Sequence, residues 1–311
     1  MRDFETCEAM GAHNERAELW ALLGGAPRAE KPSLIAGKRT ASPFPGTRLD
    51  RLVLDLNGIE PVPALFLRPD DAIHPPLVVY AHAHGNRYEL GKSELLTGRP
   101  ALQPEPYGKA LTDAGYAVLA IDSWLFEERR RAEGEGAFTK GRLLEGDTVW
   151  GMMLRDTHAA LTFALTALDV DPGRVAIMGL SMGASMAWWS AALDERIKVC
   201  VDLCCMTDFH AAIRSGGIDG HGIYYCVPGL LKSFSTVSIN ALTAPRPHLS
   251  LNGRFDPLTP EDGLHEVDAA LRKVYADAGA PDAWRMEIHD CGHQETPAMR
   301  AAALQFLKRH L

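Results

Sequence analysis

The segment 175–193 contains the residues most able to do covalent chemistry. A buried-strand pattern at 175–178 runs into Gly179-Leu180-Ser181-Met182-Gly183 and then into a helix-forming run. A serine in a sharp strand-to-helix turn adopts a strained backbone that exposes its Oγ, and small neighbours let strand and helix pass closely. The two glycines meet that need. Ser181 is therefore a candidate nucleophile, and the alternative is a structural serine in a tight joint.

A neutral serine needs a base to become a good nucleophile, and two histidines follow a late strand pattern. His293 comes just past the end of that pattern, after Gly292, whereas His289 lies inside it. Because functional groups collect at the carboxyl edge of a parallel sheet, we favour His293 as the base.

The base in turn needs a carboxylate that fixes its tautomer and stabilises the imidazolium. Asp256 follows the penultimate strand pattern and is the leading candidate. Asp202 competes but lies within an apolar strand pattern, and Asp262 is explained by the first turn of a helix, where acids are favoured. The resulting chain order, Ser181, Asp256, His293, is that of the α/β-hydrolases.

Two backbone N–H groups are expected to bind an oxyanion beside Ser181. The first belongs to Met182, at the start of the following helix. The second belongs to His84 in the loop after the first strong parallel strand, or to Gly85 or Asn86 if the loop register is shifted. A His-x-His zinc site formed by His82 and His84 is the alternative, but no third ligand is arranged with it.

Alternating strand and helix patterns surround these residues and predict a mostly parallel sheet built from βαβ units. Two antiparallel strands, RLVLDL and ALFLRP, come first. The later strands are predicted at 77–82, 117–121, 174–178, 197–203, 247–251 and 284–289. Helices are predicted near 101–115, 147–168, 182–193, 261–280 and 295–310.

Two regions fall outside this alternation. Residues 1–46 are interpreted as a helical extension (1–24) followed by a Pro/Gly/Ser-rich linker (25–46), and 47–311 as the main domain. Within it, the excursion at about 206–244 is too long for a simple connection and is either a pocket wall or a surface helical insertion. Trp124, Tyr224 and Tyr225 are pocket candidates, each equally explained as core.

Composition limits the classes of partner and compartment. The 311 residues carry a formal net charge of −8, which does not favour nucleic acid. The run 129–131 of arginines is flanked by glutamates and interpreted as a solvated, compensated surface. The six cysteines show no zinc-like spacing, and those at 200–205 are interpreted as small buried hydrophobes. With no apolar leader or membrane-length run, we expect a cytoplasmic protein.

The chain resembles the α/β-hydrolase superfamily and, within it, the group similar to dienelactone hydrolases and acetyl xylan esterases. The resemblance is carried by HAHGNRYELGK, AIDSWLFEERR, GLSMGASMAWWSAALDERI, LSLNGRFDPLTP and GHQET. It implies an α/β-hydrolase fold, with a mostly parallel eight-stranded sheet, helices on both faces and no cofactor or metal. It also implies Ser181 as nucleophile, Asp256 as acid, His293 as base, and His84 and Met182 as oxyanion donors. Dienelactone hydrolases themselves carry cysteine where this chain has Ser181.

These residues predict a serine carboxylesterase that hydrolyses small to medium esters, acetyl esters included, through an acyl-enzyme. The alternatives are a small peptidase or amidase, an acyltransferase, or a non-catalytic binding protein of the same fold. The expected partner is a small-molecule ester, without nucleic acid or membrane. The N-terminal extension is expected either to mediate a homo-oligomer or to pack on its own domain.

Overall fold

The computed structural model describes the backbone of residues 2–311 and the side chains from residue 12 onward. In this part of the chain the strands are β1 (Ser33–Thr40), β2 (Thr47–Asp55), β3 (Val62–Pro69), β4 (Pro76–Ala81), β5 (Ala117–Ile121), β6 (Asp171–Leu180), β7 (Val199–Leu203), β8 (His248–Gly253) and β9 (Trp284–His289). The helices are α1 (Arg2–Leu22), α2 (Glu94–Thr97), α3 (Tyr107–Asp113), α4 (Gly134–Leu144), α5 (Val149–Ala167), α6 (Met182–Leu193), α7 (Phe209–Ser215), α8 (Thr236–Ala241), α9 (Glu261–Asp277) and α10 (Pro297–His310).

All nine strands form one mixed sheet in the order β1-β2-β3-β5-β4-β6-β7-β8-β9. The pairs from β5 across β4 to β9 are parallel, and β1, β2 and β3 are joined to the sheet as antiparallel strands. The carboxyl ends of β4, β6, β8 and β9 therefore meet at one edge, where the candidate residues follow them.

The central strands are apolar on both faces because helices cover both faces. Every residue of β7 and β8 is buried. One apolar core contains residues of α1, α5, α6 and α9, and a second core on the opposite face contains residues of α3 and α10. The prediction of a parallel α/β sheet with helices on both faces is confirmed.

The sheet has nine strands where eight were expected, because Ser33–Thr40 form β1. The prediction of a linker at 25–46 is therefore wrong over these residues. β1 pairs with β2, but almost all of its side chains are exposed, so its sequence lacks the apolar alternation that marks a half-buried strand.

The expected N-terminal extension is helical, as α1, and its described part packs on the main core. Leu19 and Leu23 are fully buried, and the Arg16 guanidinium donates to the carbonyl oxygens of Ala192 and Leu242 at 2.8 Å each. No helix within residues 2–311 combines the length and apolarity that a bilayer crossing requires.

The cysteine interpretation is confirmed at the three strand-associated positions. Cys200, Cys204 and Cys205 are buried free thiols, and among the other described cysteines Cys291 is buried and Cys226 exposed. Cys7 lies outside the residues whose side chains the structure describes.

The arginine run at 129–131 does not form a wholly solvated surface, and that interpretation is wrong for Arg129. Its guanidinium is buried over the Trp124 ring at 4.1 Å and pairs with Glu60 at 2.7 Å and Asp156 at 2.9 Å. Carboxylates distant in sequence, rather than the flanking glutamates, neutralise this arginine.

Candidate active site

Ser181 occupies the sharp turn between β6 and α6. Its backbone has φ 60° and ψ −120°, a region that residues other than glycine rarely adopt. The Ser181 N–H donates to the Leu203 carbonyl oxygen at 2.8 Å, and its carbonyl accepts from Ser185 N–H at 3.0 Å. These bonds hold the strained turn in place at the carboxyl edge of the sheet.

The glycines on either side of Ser181 are required by close backbone approach. A Cβ at Gly183 would overlap the Ala81 carbonyl oxygen, and a Cβ at Gly179 would overlap the same oxygen and the Gly183 backbone. The turn is thus packed against the end of β4, which also carries the loop with His84. This contact explains why the sequence has glycine at both positions.

The two loops after β8 and β9 bring Asp256 and His293 together. The N–H of Phe255 donates to the Cys291 carbonyl oxygen at 2.9 Å. A Cβ at Gly253 would overlap the Gly292 carbonyl oxygen, so these loops also touch through their backbones. Their mutual contact fixes the separation of the carboxylate and the imidazole.

The His293 ring lies between Ser181 and Asp256. His293 Nε2 is 2.8 Å from Ser181 Oγ, and Nδ1 is 2.6 Å from Asp256 Oδ2. Because the ionised carboxylate can only accept, Nδ1 carries a proton and Nε2 is free to accept from the serine. Asp256 Oδ1 accepts from the Leu258 N–H at 2.9 Å, which orients the carboxylate.

The electrostatics of this group favour the imidazolium. Burial by itself lowers the pKa of His293, but the hydrogen bond and the charge of Asp256 raise it above the ordinary value. The arrangement can thus take a proton from Ser181 Oγ and stabilise the resulting positive charge.

Two backbone N–H groups near Ser181 can donate hydrogen bonds to an anionic oxygen. Met182 is the first residue of α6, whose first-turn N–H groups have no intrahelical acceptor. The His84 N–H has no acceptor among the described residues, and His84, Met182 and Ser181 all line one cleft. Gly85 and Asn86, the alternatives for a shifted register, line it too.

The cleft above Ser181 has a volume of about 650 Å³. The excursion at 206–244 contributes part of its wall, since residues 219–222, Tyr224 and Tyr225 line the cleft, so the pocket-wall alternative is confirmed. Tyr224 and Tyr225 also belong to the main core. Trp124 lies elsewhere, beside a smaller cavity near Asn57 and Arg155.

The ring of His84 is held by residues that sequence reasoning did not select. His84 Nδ1 accepts from the Asn86 N–H at 3.0 Å, so Nε2 carries the proton that is donated to Glu135 Oε2 at 2.8 Å. The Tyr88 hydroxyl donates to the same oxygen at 3.0 Å. Glu135 appeared in the sequence only as a compensating charge near the arginine run, and no local signal places it in the cleft.

The loop that carries His84 is anchored by a buried ion cluster. The Lys92 ammonium lies 2.8 Å from Asp122, 2.8 Å from Glu127 and 2.6 Å from Glu128. Burial raises the pKa of Asp122 to about 6, although the Lys92 charge opposes the shift. The cluster ties the loop after β4 to the segment that follows β5.

The residues that competed in the sequence have other surroundings. Asp202 is fully buried within β7 and bonds to His248 and Ser250 rather than to His293. His289 ends β9 and lies 3.0 Å from Glu287, and Asp262 is in the first turn of α9. His82 Nε2 accepts from the Ser123 N–H at 3.1 Å, and burial lowers the pKa of His82 to about 4.

With this geometry in place, the chain can be compared with known proteins. The model of the Dienelactone hydrolase family matches residues 63–279. "Putative hydrolase YtaP" of Bacillus subtilis (strain 168) is 44% identical over 297 residues, which cover 95% of this chain and 98% of that protein.

Solved structures with a similar fold include two that are described as esterases. A glucuronoyl esterase from Solibacter usitatus has a TM-score of 0.69 at 16% identity, covering 95% of this chain and 92% of that one. A structure described as a putative acetyl xylan esterase from Bacteroides fragilis NCTC 9343 has a TM-score of 0.66 at 20% identity, covering 90% and 73%. At these identities the likeness shows the fold.

The family match and the relative at 44% identity both extend over most of the chain. The chain therefore belongs to the dienelactone hydrolase family and is an enzyme, an esterase-like hydrolase with the α/β-hydrolase fold.

Proposed function

We propose that this enzyme is a serine carboxylesterase acting on small to medium carboxylic esters, with acetyl esters among them. The observation that carries the proposal is the position of the His293 ring, with Nε2 at 2.8 Å from Ser181 Oγ and Nδ1 at 2.6 Å from Asp256. The strained turn at Ser181 and its place in an open cleft support the same role.

In the proposed reaction, Ser181 Oγ attacks the ester carbonyl while His293 Nε2 takes its proton. The tetrahedral oxyanion accepts hydrogen bonds from the N–H groups of Met182 and His84. The C–O bond to the alcohol then breaks, and His293 gives its proton to the departing oxygen. Asp256 stabilises the imidazolium throughout both proton transfers.

Water completes the cycle. His293 takes a proton from a water molecule, the water oxygen attacks the acyl carbonyl, and a second tetrahedral oxyanion forms at the same two N–H groups. Collapse of this intermediate breaks the bond to Ser181 Oγ, which recovers its proton from His293. The products are the carboxylic acid and the free enzyme, and the carbon atoms undergo no net oxidation or reduction.

Mass spectrometry of the intact protein after treatment with a fluorophosphonate tests the nucleophile. We expect one adduct on the wild-type protein and none on Ser181→Ala, because only a serine activated by a base attacks this reagent rapidly. Ser250→Ala is the matched control and should remain labelled. An unlabelled wild-type protein, or a labelled Ser181→Ala, would contradict the proposal.

We also propose a cytoplasmic location. The five described cysteines are free thiols, which supports this location because disulfides form and persist in oxidising compartments and are rare in the cytoplasm. Fractionation of the source cells with an antibody to the protein tests it. Recovery in the soluble cell extract is expected, and recovery outside the cell membrane would contradict it.

A further inference from the structure

The wall of the cleft contains polar groups that the proposed reaction does not use. Glu135 lines the cleft, and its side chain is 10% exposed. Its Oε2 accepts from both His84 and Tyr88, whereas its Oε1 accepts a hydrogen bond from no described residue. A bound molecule that donates a hydrogen bond to this oxygen would not have to displace a protein partner.

Glu135 Oε1 lies beside Gly222. A Cβ at Gly222 would lie 2.8 Å from Oε1, and Gly222 itself lines the cleft. The same Cβ would lie even closer to the Tyr224 ring, so the glycine allows Glu135 Oε1 and Tyr224 to lie close together at one part of the cleft wall. Glu135 Oε1 is therefore an acceptor at the cleft wall that no described residue uses.

Tyr224 provides a second group of the same kind. Its ring stacks on the ring of His84, with centroids 5.4 Å apart and planes inclined by 10°. The residue is 5% exposed, and its hydroxyl has no hydrogen-bond partner among the described residues. Burial raises the pKa of Tyr224 well above its usual value, so the hydroxyl stays protonated and can donate as well as accept.

Apart from the proposed base His293, the charged side chains that line the cleft are acids. Glu135 and Asp219 are the acids, and the lining includes neither lysine nor arginine among the described residues. His221 also lines the cleft, but burial lowers its pKa, so the ring is neutral near pH 7. Arg130 and Arg131 line a neighbouring cavity that Glu135 also borders, and Arg99, beside Gly85, pairs with Glu94.

We infer that the cleft selects esters whose non-reacting part is free of negative charge and carries a hydrogen-bond donor, such as a hydroxyl group, for Glu135 Oε1. Tyr224 supplies the complementary hydroxyl and a flat wall against which that part of the substrate packs. An ester that bears a carboxylate is disfavoured, because it would place like charges side by side in a partly desolvated cleft. This inference rests on the proposed esterase function.

Two matched series of esters test the inference by pH-stat titration. The first varies the acyl part: methyl butyrate, methyl 3-hydroxybutyrate and monomethyl succinate. The second varies the alcohol: propyl acetate, glycerol 1-acetate and 3-acetoxypropanoate. In at least one series we expect kcat/KM to be about tenfold higher for the hydroxyl ester than for the alkyl ester. In the same series, kcat/KM for the carboxylate ester should be about tenfold lower than for the alkyl ester.

Two variants assign the selectivity to the named groups. In Glu135→Gln, the discrimination against the carboxylate ester should fall by about tenfold, because the charge is removed. The preference for the hydroxyl ester should fall too, because the single amide oxygen accepts from His84 and an NH2 group replaces Oε1. In Tyr224→Phe, only the preference for the hydroxyl ester should fall. Glu133→Gln is the matched control, since Glu133 is an exposed acid outside the cleft, and both ratios should stay at the wild-type values.

Three outcomes would overturn the inference. In the first, the wild-type enzyme hydrolyses the carboxylate esters as well as the alkyl esters in both series. In the second, Glu135→Gln lowers all members of a series by one common factor, which means that Glu135 only positions His84. In the third, the carboxylate esters are preferred, which indicates that substrates reach Arg130. An enzyme that is labelled by fluorophosphonate but lacks the selectivity refutes this inference alone, whereas an unlabelled enzyme refutes the proposed function as well.

Discussion

The molecule contains two hydrogen-bonded groups of one serine, one histidine and one aspartate, and they differ in which residue is in the middle. In the cleft, His293 lies between Ser181 and Asp256. Within the sheet, Asp202 lies between His248, at 2.7 Å, and Ser250, at 2.8 Å. The residue types are the same, so the order of contact decides what each group can do.

Only the first order allows a proton transfer from serine to histidine. In the buried group, Ser250 Oγ donates to Asp202 Oδ1, and His248 Nε2 faces the other carboxylate oxygen. Neither ring nitrogen of His248 bonds to the serine, and all three residues are completely buried. The group therefore satisfies polar atoms between β7 and β8 and has no access to a substrate.

The largest expected difference between the two groups is in the effect of removing each serine. Ser181→Ala should lower kcat for a 4-nitrophenyl ester by at least about ten-thousand-fold, because the nucleophile is lost. Ser250→Ala should keep kcat within about threefold of wild type, because the buried group makes no contact in the cleft. Steady-state kinetics on both variants measure this, and a large loss of kcat in Ser250→Ala would remove the distinction.

The two aspartates should separate activity from stability. Asp256→Asn is expected to lower kcat by about a thousandfold or more, since the amide cannot hold the required His293 tautomer or stabilise the imidazolium. Asp202→Asn is expected to retain most of kcat. It should instead lower the free energy of unfolding by about 1 to 3 kcal/mol, because buried hydrogen bonds to His248 and Ser250 are disrupted.

Kinetics paired with urea denaturation test this contrast. The reverse result, a catalytic defect in Asp202→Asn with normal stability, would mean that the buried group acts on the cleft.

A smaller effect is expected for the stability of Ser250→Ala. Ser250 donates to Asp202 and accepts from Asn252 Nδ2 at 2.8 Å, so its removal leaves two buried polar atoms short of a partner. We expect the free energy of unfolding to fall by about 1 to 2 kcal/mol. Ser181→Ala, at the partly exposed site, should change the free energy of unfolding by less. Alanine also has a Cβ, so this substitution does not relieve the backbone strain of the turn.

The pH dependence provides the smallest and most specific contrast. Because Asp256 raises the pKa of His293, the imidazolium persists above the usual histidine value of 6.5. The base is active only when neutral, so kcat/KM should rise with pH through a midpoint above 6.5 and fall away below it. Any residual activity of Asp256→Asn should show a lower midpoint, whereas Asp202→Asn should leave the midpoint where it is in the wild-type enzyme.

Local sequence patterns predicted most of the fold because the parallel strands are buried on both faces. The predicted strand at 284–289 coincides with β9, and the predicted helix at 182–193 coincides with α6. The pattern failed at β1, where edge position and exposed side chains remove the apolar signal. It also failed at Arg129, whose neutralising partners Glu60 and Asp156 are far away in the chain.

The sequence by itself determined which residues follow which strands, and therefore that Ser181, Asp256 and His293 come to one edge of the sheet. Strand order and the contact between the β8 and β9 loops decided that His293, rather than an aspartate, lies in the middle of that group. Tertiary structure alone placed Glu135 within hydrogen-bond distance of His84 and stacked Tyr224 on the His84 ring, because α4 and the excursion meet the cleft through contacts between residues distant in the chain. Periodicity reports the environment of neighbours along the chain, whereas such contacts depend on how whole elements pack.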